Sequence, residues 1–273
     1  VAKQFPELSQ YLIARSDKRS TIDFSNENAV RALNRGLLYI YFDLDVTLPS
    51  NSLCPAVANR LSYIEWIKAN ICTDFPPDSR LVGLDIGTGA SCIYPLLGVR
   101  AMSQCTFIGT DINKESISVA SDNVKSNGLE DKIKLYLVND PNTKLPLNSE
   151  NFPFPSTNID EMTLAFCMCN PPFYKDQQER QRLAKIKDCP PTLNTIGKDN
   201  ELYTTGGEEV FLSGLVDESV RMGKRIRWYS TMVGKKTTLA LLKAKIRNIG
   251  ATFIREGLLV PGKTARWVIA WTF

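Results

Sequence analysis

The sequence predicts an α/β fold with a seven-stranded, mostly parallel sheet, and three observations support this. Seven apolar runs have the length of buried strands, and helical periodicity separates most of them. A glycine turn, Gly87–Gly89, directly follows the first of these runs and leads into a helical stretch. The last two runs follow one another through a short Pro-Gly turn, which favours an antiparallel pair at one end of the sheet.

The composition limits the chemistry that the chain can perform. It contains no histidine, which excludes Ser-His-Asp and Cys-His nucleophile systems and histidine-ligated metals, so no metal site is expected. The chain has seven cysteines, an odd number, and they are expected to be reduced. Cys167 and Cys169 would lie on the same face of a strand and are interpreted as small buried side chains. Neither a signal peptide nor an apolar run of the ~20 residues that cross a membrane is visible, so a soluble, intracellular protein is expected.

Positive charge is concentrated in the last fifth of the chain, residues 221–273. The formal net charge is +4, yet residues 221–273 contain twelve Lys or Arg and a single acid, Glu256. This distribution favours a polyanionic partner on one side of the molecule, with a solvated basic rim as the alternative.

The first 59 residues lack the rhythm of strands and turns that follows. They predict a helical, basic N-terminal module lying over the mouth of a main domain at 60–273. Its helix would have an N-cap in Ser25-Asn26 and end near Gly36, with Arg31 and Arg35 one turn apart on one face. A second helix is predicted from Cys54 to Ala69 and carries Arg60.

The first predicted strand of the main domain, Leu81–Ile86, contains Asp85 and is followed by Gly87, Gly89 and Ser91. Because glycine has no Cβ atom, it lets the backbone turn tightly and approach a ligand closely. Because the third glycine of a dinucleotide fingerprint is missing, the turn favours a smaller amphipathic cofactor over a pyrophosphate.

The next two strands bring further acids to the same edge of the sheet. Asp111 ends the strand Thr106–Asp111, 22 residues after Gly89, the distance at which a βαβ unit brings a carboxylate to two ribose hydroxyls. Asp140 follows the strand Lys132–Val138, near the expected place of an adenine, although an Asp before a proline also fits a simple turn.

The stretch from Asp160 to Phe173 is the pattern on which the functional interpretation depends. It predicts a buried strand that stops at Asn170, because Pro171 and Pro172 cannot donate to a sheet ladder and fix their own φ. The turn would present an amide oxygen, a carbonyl and an aromatic ring to a planar group that carries an amine. An ordinary strand-to-loop turn is the alternative.

The remaining elements continue the alternation of helices and strands. Residues 174–205 have no sustained periodicity and predict a flexible lid loop, since structureless loops of this length are commonly functional or disordered. A helix at 206–220, a strand at 225–233, a helix at 235–248 and strands at 252–260 and 266–273 follow.

The order of glycine turn, ribose acid and Asn-Pro-Pro-Phe resembles the S-adenosylmethionine-dependent amino-methyltransferases. Further blocks narrow the resemblance to the methyltransferase-like protein 16 family; they lie at 84–98, 166–173, 206–208 and 227–230, with Asp-Phe at 23–24, Ala-Val-Arg-Ala-Leu at 29–33 and Arg-Trp-x-x-Ala-Trp at 266–271. The resemblance implies a Rossmann-like class I methyltransferase fold with S-adenosyl-L-methionine as cofactor and S-adenosyl-L-homocysteine as product.

The resemblance also implies roles for single cofactor residues. Gly87, Gly89 and Ser91 would approach the methionine end, Arg60 would bind the carboxylate, and Asp111, where the family often has Glu, would bind the ribose. The expected cofactor contacts are completed by Asp85, Asp140, Thr143 and Asn170, although residues 139–143 depart from the forms that are usual in the family.

Asn170 and Pro171 would accept hydrogen bonds from an adenine amine, Pro172 would stiffen the turn, and Phe173 would stack on the base. Two such acceptors would draw the nitrogen toward sp³ geometry, so no histidine base is needed. The cations expected to meet RNA phosphates are Arg31, Arg35, Lys224, Arg225, Lys235, Lys236, Lys263 and Arg266.

The predicted activity is methylation of adenosine N6 in a structured RNA with an unpaired adenosine, foremost the U6 small nuclear RNA. A monomeric protein in the nucleus, with the cytoplasm as a second location, is expected. Ribosomal RNA, a protein glutamine and DNA are the alternative methyl acceptors, although glutamine enzymes usually carry Tyr in place of Phe173. A catalytically idle RNA-binding module is the alternative outside enzymes.

Overall fold

The computed structural model describes residues 1–16, 19–154, 163–186, 199–260 and 265–273, with side chains described for all of these except 183–186 and 199–200. The strands are β1 Leu12–Ala14, β2 Ser20–Ile22, β3 Leu81–Ile86, β4 Cys105–Asp111, β5 Ile133–Leu137, β6 Leu164–Cys169, β7 Ile226–Val233, β8 Phe253–Leu259 and β9 Arg266–Thr272. The α-helices are α1 Glu27–Phe42, α2 Val57–Asn70, α3 Ile93–Ala101, α4 Lys114–Ser126, α5 Gln177–Ile186, α6 Asp199–Leu202, α7 Gly207–Met222 and α8 Lys236–Asn248.

β3 to β9 form a seven-stranded sheet in the order β5-β4-β3-β6-β7-β9-β8. β3 pairs in parallel with β4 and β6, and β6 pairs in parallel with β7, whereas β9 is antiparallel to both of its neighbours. The predicted sheet of seven strands with an antiparallel final pair is confirmed. The chain runs from β3 outward through β4 to β5 and then returns to β6, which lies on the other side of β3. Open α/β sheets bind ligands at the carboxyl ends of the strands beside such a reversal in strand order.

The two faces of the sheet enter two hydrophobic clusters. Helices α1 to α4 pack on the face that carries Phe166 and Met168, and α7 and α8 pack on the face that carries Cys167 and Cys169. This alternation follows from the two-residue period of a strand, and the burial of β6 on both faces explains its unbroken apolar sequence. The cysteines of the described residues are free and buried.

The N-terminal region differs from the predicted helical module. β1 and β2 form an antiparallel hairpin whose short, mostly exposed strands lack an apolar alternation. α1 is capped by Asn26, as predicted, but it continues through Gly36 to Phe42. Gly36 does not end the helix because it is buried, and an ideal Cβ there would meet Val1 and Phe5 at 2.9 and 3.1 Å.

The N-terminal region shares its core with the sheet. Phe5, Leu8 and Val30 belong to the same hydrophobic cluster as Phe166. The predicted boundary between residues 59 and 60 falls inside α2, whose N-cap is Ala56. The N-terminal residues thus pack directly on one face of the sheet.

The described parts of the segment 174–205 are not the predicted loop. Residues 177–186 form α5 and residues 199–202 form α6, and Tyr174 pairs with Tyr203 in a parallel bridge. The sequence of α5 is mostly polar, so it lacks the apolar residues at helical spacing that would have predicted a helix. The rest of the predicted lid, 187–198, and the turn at 261–264 with Lys263 lie outside the described residues. Within the described ranges, no helix is long and apolar enough to cross a bilayer, and no three metal-ligating side chains form a cluster.

Candidate active site

The carboxyl ends of β3, β4 and β6 open into one cavity of about 620 Å³, a size in the range of small-molecule sites. The predicted cofactor residues that line it are Arg60, Gly87, Gly89, Ser91, Asp111, Thr143 and Asn170. Pro172 lines it as well. The glycine turn and the Asn-Pro-Pro-Phe turn therefore face the same space from one edge of the sheet.

The glycine turn keeps its side of the cavity clear. Gly87 and Gly89 adopt left-handed φ values of +73° and +64°, which side chains with a Cβ rarely tolerate. An ideal Cβ on Gly87 would meet no atom within 4 Å. A side chain there would occupy the open space that a ligand needs, so glycine is required for both conformation and access.

Asp111 ties the glycine turn to the end of β4. Its Oδ2 accepts a hydrogen bond from Gly89 N at 2.9 Å, and its Oδ1 accepts one from Asn113 N at 2.8 Å. Both oxygens of the carboxylate thus join the glycine turn to the chain after β4. The ribose contact of Asp111 stays a prediction.

Asp85 lies beneath the glycine turn and does not line the cavity. It is fully buried near the end of β3. Burial raises its pKa to about 7, against the opposing effect of the nearby Thr88 side chain. The structure therefore does not bring Asp85 to the cofactor space.

Replacing Asp85 by asparagine is expected to remove a pH dependence of stability. Since the pKa is raised from 3.8 to about 7 in the folded state, unfolding releases a proton between these values. The contribution of Asp85 to the free energy of unfolding should fall by up to about 4 kcal/mol as pH rises through this interval. Thermal unfolding across this range should show the variant gaining stability relative to the parent as pH rises; a difference independent of pH would contradict this.

The carboxylate of Asp140 accepts hydrogen bonds from residues of its own turn, so its predicted adenine contact is not supported. Its Oδ1 accepts from Asn142 N at 2.9 Å and its Oδ2 accepts from Thr143 Oγ1 at 3.0 Å. These hydrogen bonds, the Asn142 backbone first, lower the pKa of this exposed carboxyl. Thr143 lines the cavity, whereas Asp140 is the turn-forming Asp that the alternative interpretation described.

Arg60 connects the cofactor end of the cavity to Asn170. Its Nη1 donates to Asn170 Oδ1 at 3.1 Å and to Tyr94 Oη at 3.2 Å. The guanidinium also lies over the Tyr94 ring, 5.6 Å from the centroid. Arg60 thus holds the amide of Asn170 in a fixed orientation.

Phe173 is half-buried between charged and backbone groups. The Arg266 guanidinium lies over its ring at 4.9 Å, and an ideal Cβ on Gly234 would meet the ring at 2.7 Å. Glu208, fully buried behind this contact, accepts a hydrogen bond from Gly234 N, and burial raises its pKa. The Gly-Gly-Glu block therefore supports the Gly234 turn on which Phe173 rests.

Several lining residues were missed by sequence reasoning. Glu201 and Tyr203 come from the segment predicted to be a loop, Tyr94 opens α3, and Leu53 precedes α2. Apart from its place just before the Gly-Gly-Glu block, Glu201 has no sequence signal. Tyr94 could have been expected from its position one turn after Ser91.

The predicted RNA-binding cations lie at different edges of the sheet. Lys235, Lys236 and Arg266 lie at the carboxyl edge, because β7 ends at Val233 and β9 begins at Arg266 beside it. Lys224 and Arg225 precede β7 and lie at the opposite edge, about 25 Å away for a strand of eight residues. They are therefore removed from the edge of the sheet at which the cavity opens.

The two arginines of α1 are engaged within the protein. Arg31 is buried and its Nη2 donates to the carbonyls of Ser50 and Ser52 at 2.8 and 3.1 Å. Arg35 forms ion pairs with Glu7 at 2.6 Å and Asp45 at 3.6 Å. Arg31 stabilises the chain before α2 and is not placed to meet a phosphate.

The chain is similar to known RNA methyltransferases along its whole length. The model of a family described as RNA methyltransferase matches residues 1–273. Identity is 41% over 96% of the chain to the U6 small nuclear RNA (adenine-(43)-N(6))-methyltransferase of Schizosaccharomyces pombe, covering 65% of that protein. It is 35% over all of the chain to the RNA N(6)-adenosine-methyltransferase METTL16 of Homo sapiens, covering 48% of it.

Solved structures agree with the fold described above. The catalytic domain of human METTL16 in complex with the MAT2A 3′UTR hairpin 1 matches with a TM-score of 0.87 and 34% identity, over all of this chain and 89% of that one. The N-terminal domain of human METTL16 in complex with SAH matches with a TM-score of 0.80 and 33% identity, over 100% and 92% of the two chains. The chain spans between about half and two thirds of the length of the curated relatives it matches.

Proposed function

Because this chain belongs to the RNA methyltransferase family, we propose that it transfers a methyl group from S-adenosylmethionine to N6 of an unpaired adenosine in a structured RNA. The observation that supports this most is that Asn170 lines the same cavity as the glycine turn and Asp111. The names of the relatives favour U6 small nuclear RNA as the substrate, and a nuclear location would follow from that substrate.

The cavity residues fit S-adenosylmethionine. The open space beside Gly87 accepts a ligand close to the backbone, Asp111 can hold ribose hydroxyls, and Arg60 can bind a carboxylate. A similar chain, the N-terminal domain of human METTL16, is known in complex with SAH. When bound, the cofactor supplies a methyl group activated by a positively charged sulfur.

The residues of the Asn-Pro-Pro-Phe turn would orient the adenine amine. The lone pair of this nitrogen is delocalised into the ring, which makes it a poor nucleophile. Hydrogen bonds from its two N–H groups to Asn170 Oδ1 and to the Pro171 carbonyl would hold it with the lone pair directed into the cavity. The two prolines keep these acceptors fixed, so little reorganisation is needed.

Stacking of the base on Phe173 would use the face that Arg266 leaves open. The Arg266 guanidinium covers one side of the ring, so a purine must bind the other face or displace this side chain. A guanidinium also stacks on bases, so Arg266 would contact the target nucleotide directly as well as a phosphate.

Transfer of labelled methyl groups to purified RNA tests the proposal. We expect label from S-adenosylmethionine in U6 RNA, recovered as N6-methyladenosine after digestion to nucleosides. A hairpin in which the unpaired adenosine is replaced by guanosine should receive none. Label found only in protein or only in DNA would refute the RNA assignment, and RNA binding without any transfer would leave an idle binding module.

The cations at the carboxyl edge are expected to carry the salt dependence of RNA binding. The double substitution Lys235→Ala with Lys236→Ala should weaken hairpin binding and lower the slope of log K against log salt by about 1 to 2, because Lys235 is also ion-paired with Glu179 at 2.6 Å. Fluorescence anisotropy over a series of salt concentrations measures this slope. The reason is that each phosphate neutralised by a lysine releases a counterion.

A matched double variant at the opposite edge serves as the control. Arg221→Ala with Lys224→Ala removes the same charge from exposed residues just before β7. Its salt slope should equal that of the parent protein. Equal losses from both double variants would show that the RNA is attracted by net charge alone and does not lie along the carboxyl edge.

A further inference from the structure

We propose that Tyr94 is a positioning residue for methyl transfer: its hydroxyl group fixes the guanidinium of Arg60, which in turn orients the amide of Asn170 toward the target amine. The inference rests on the proposed function, because it assigns a role in the same reaction. Tyr94 lies in the first turn of α3 and is buried.

The hydroxyl of Tyr94 presents an acceptor to Arg60. It donates its proton to the sulfur of Met232, with 3.3 Å between Tyr94 Oη and Met232 Sδ, so a lone pair of the oxygen is left for Arg60. Burial raises the pKa of Tyr94 to about 12, which keeps the hydroxyl neutral near neutral pH. The ring is held by an edge contact with Tyr63, with the ring centroids 5.7 Å apart. The acceptor therefore has a fixed place and direction.

Arg60 makes its two side-chain contacts with one nitrogen. Nη1 carries two N–H groups and donates to Tyr94 Oη at 3.2 Å and to Asn170 Oδ1 at 3.1 Å. With the first acceptor held in place, the planar guanidinium keeps Nη1 directed at Asn170. Without the hydroxyl, rotation about the last bonds of the arginine side chain would weaken this direction.

The hydrogen bond from Arg60 decides which end of the Asn170 amide occupies which position. An amide has an acceptor oxygen and a donor nitrogen, and a half-turn exchanges them. A guanidinium can only donate, so it favours the oxygen beside Nη1. The second lone pair of that oxygen remains for the target amine, whereas the flipped amide would offer this amine another donor. Tyr94 and Arg60 together therefore select the conformer that can bind an amine.

Met232 ties these contacts to the strand beside Asn170. β6 pairs in parallel with β7, with Phe166 beside Trp228. The same register, continued toward the carboxyl edge, brings Met232 beside Asn170. The hydroxyl of Tyr94 is thus anchored to the sheet at the level of the residue that it helps to orient.

Single-turnover methyl transfer to an RNA hairpin by Tyr94→Phe tests the inference. Phenylalanine keeps the ring against Tyr63 and beneath the Arg60 guanidinium but lacks the hydroxyl. At saturating cofactor and RNA, the rate should fall by about 3- to 10-fold, the effect of one lost hydrogen bond. The affinity for S-adenosylhomocysteine should stay within about 3-fold of the parent, because the charge of Arg60 remains.

Tyr229→Phe is the matched control. Tyr229 is also fully buried, and its hydroxyl donates to Gly223 O at 2.6 Å, just before the amino end of β7 and away from the cavity. This variant loses the same group from the interior and should transfer methyl groups at the parental rate. Thermal unfolding of both variants shows whether their losses of stability are comparable.

Coupling to Asn170 separates positioning from a general structural effect. In an Asn170→Ala background there is no amide to orient, so adding Tyr94→Phe should change the remaining rate by less than about 2-fold. A further loss as large as in the parent background would overturn the inference. A rate of the single variant Tyr94→Phe within about 2-fold of the parent would overturn it as well.

The side-chain amide of Asn170 gives a second readout that needs no RNA. Its signals in a proton–nitrogen correlation NMR spectrum, identified by their absence in Asn170→Ala, should shift in ligand-free Tyr94→Phe and stay unchanged in Tyr229→Phe. A parent protein that methylates no RNA would refute the proposed function, and these signals would then decide on the inference alone. Identical amide signals in the parent and in Tyr94→Phe would overturn it.

Discussion

Replacing Asn170 by alanine is expected to lower kcat for methyl transfer to an RNA hairpin by about 100- to 1,000-fold, with a far smaller effect on S-adenosylhomocysteine affinity. Asn170 lies at the carboxyl end of β6 and lines the cavity together with Pro172. In the proposed reaction, its Oδ1 accepts a hydrogen bond from the target amine and orients it. Because alanine has no acceptor, the amine would bind without its lone pair directed at the donor.

Asn248→Ala provides the matched control for this substitution. Asn248 is an exposed residue at the last position of α8, which begins at the carboxyl edge and ends away from it. Its single-turnover rate should equal that of the parent. A rate for Asn170→Ala within about 5-fold of the parent would show that its amide does not orient the amine.

The second large effect is expected for Arg60→Ala, which should lower kcat/KM for the cofactor by about 1,000-fold. Two losses combine in this variant: a charge-assisted contact to the cofactor carboxylate, and the hydrogen bond from Nη1 to Asn170 Oδ1 at 3.1 Å. Loss of the second contact releases the Asn170 amide, so kcat should fall by about 10-fold even at saturating cofactor.

Arg60→Lys separates these two roles. Lysine keeps the positive charge but lacks the planar guanidinium, which lies over the Tyr94 ring and directs its Nη1 to Asn170 Oδ1. Cofactor affinity should be partly restored relative to Arg60→Ala, while kcat at saturation stays low. Calorimetry with S-adenosylhomocysteine and steady-state rates at saturating cofactor measure the two effects. A normal kcat in both variants would contradict a positioning role toward Asn170.

The sequence predicted the sheet and the edge on which the site lies because its strongest signals are local. β6 is buried on both faces, so its apolar run is unbroken, and two prolines end it where a ladder cannot continue. Gly87 and Gly89 adopt the left-handed conformation that only glycine tolerates well. Both signals follow from backbone geometry at single positions.

The sequence could not locate residues whose roles depend on contacts distant in the chain. Arg31 shows the spacing of an exposed basic face, yet its partners are the carbonyls of Ser50 and Ser52. Lys224 belongs to the basic segment 221–273, but charge counts do not say at which end of β7 it lies. Glu201 is bound to Leu53, 148 residues away, a contact that no local pattern encodes.

The most direct test is an experimental structure of this chain with S-adenosylhomocysteine and an RNA hairpin that contains an unpaired adenosine. We predict the sulfur beside Gly87 and the adenine N6 within about 3.2 Å of both Asn170 Oδ1 and the Pro171 carbonyl. The ring of Phe173 should contact the extruded base. A cofactor bound elsewhere, or an adenine whose N6 does not reach Asn170, would refute methyl transfer at the Asn-Pro-Pro-Phe turn.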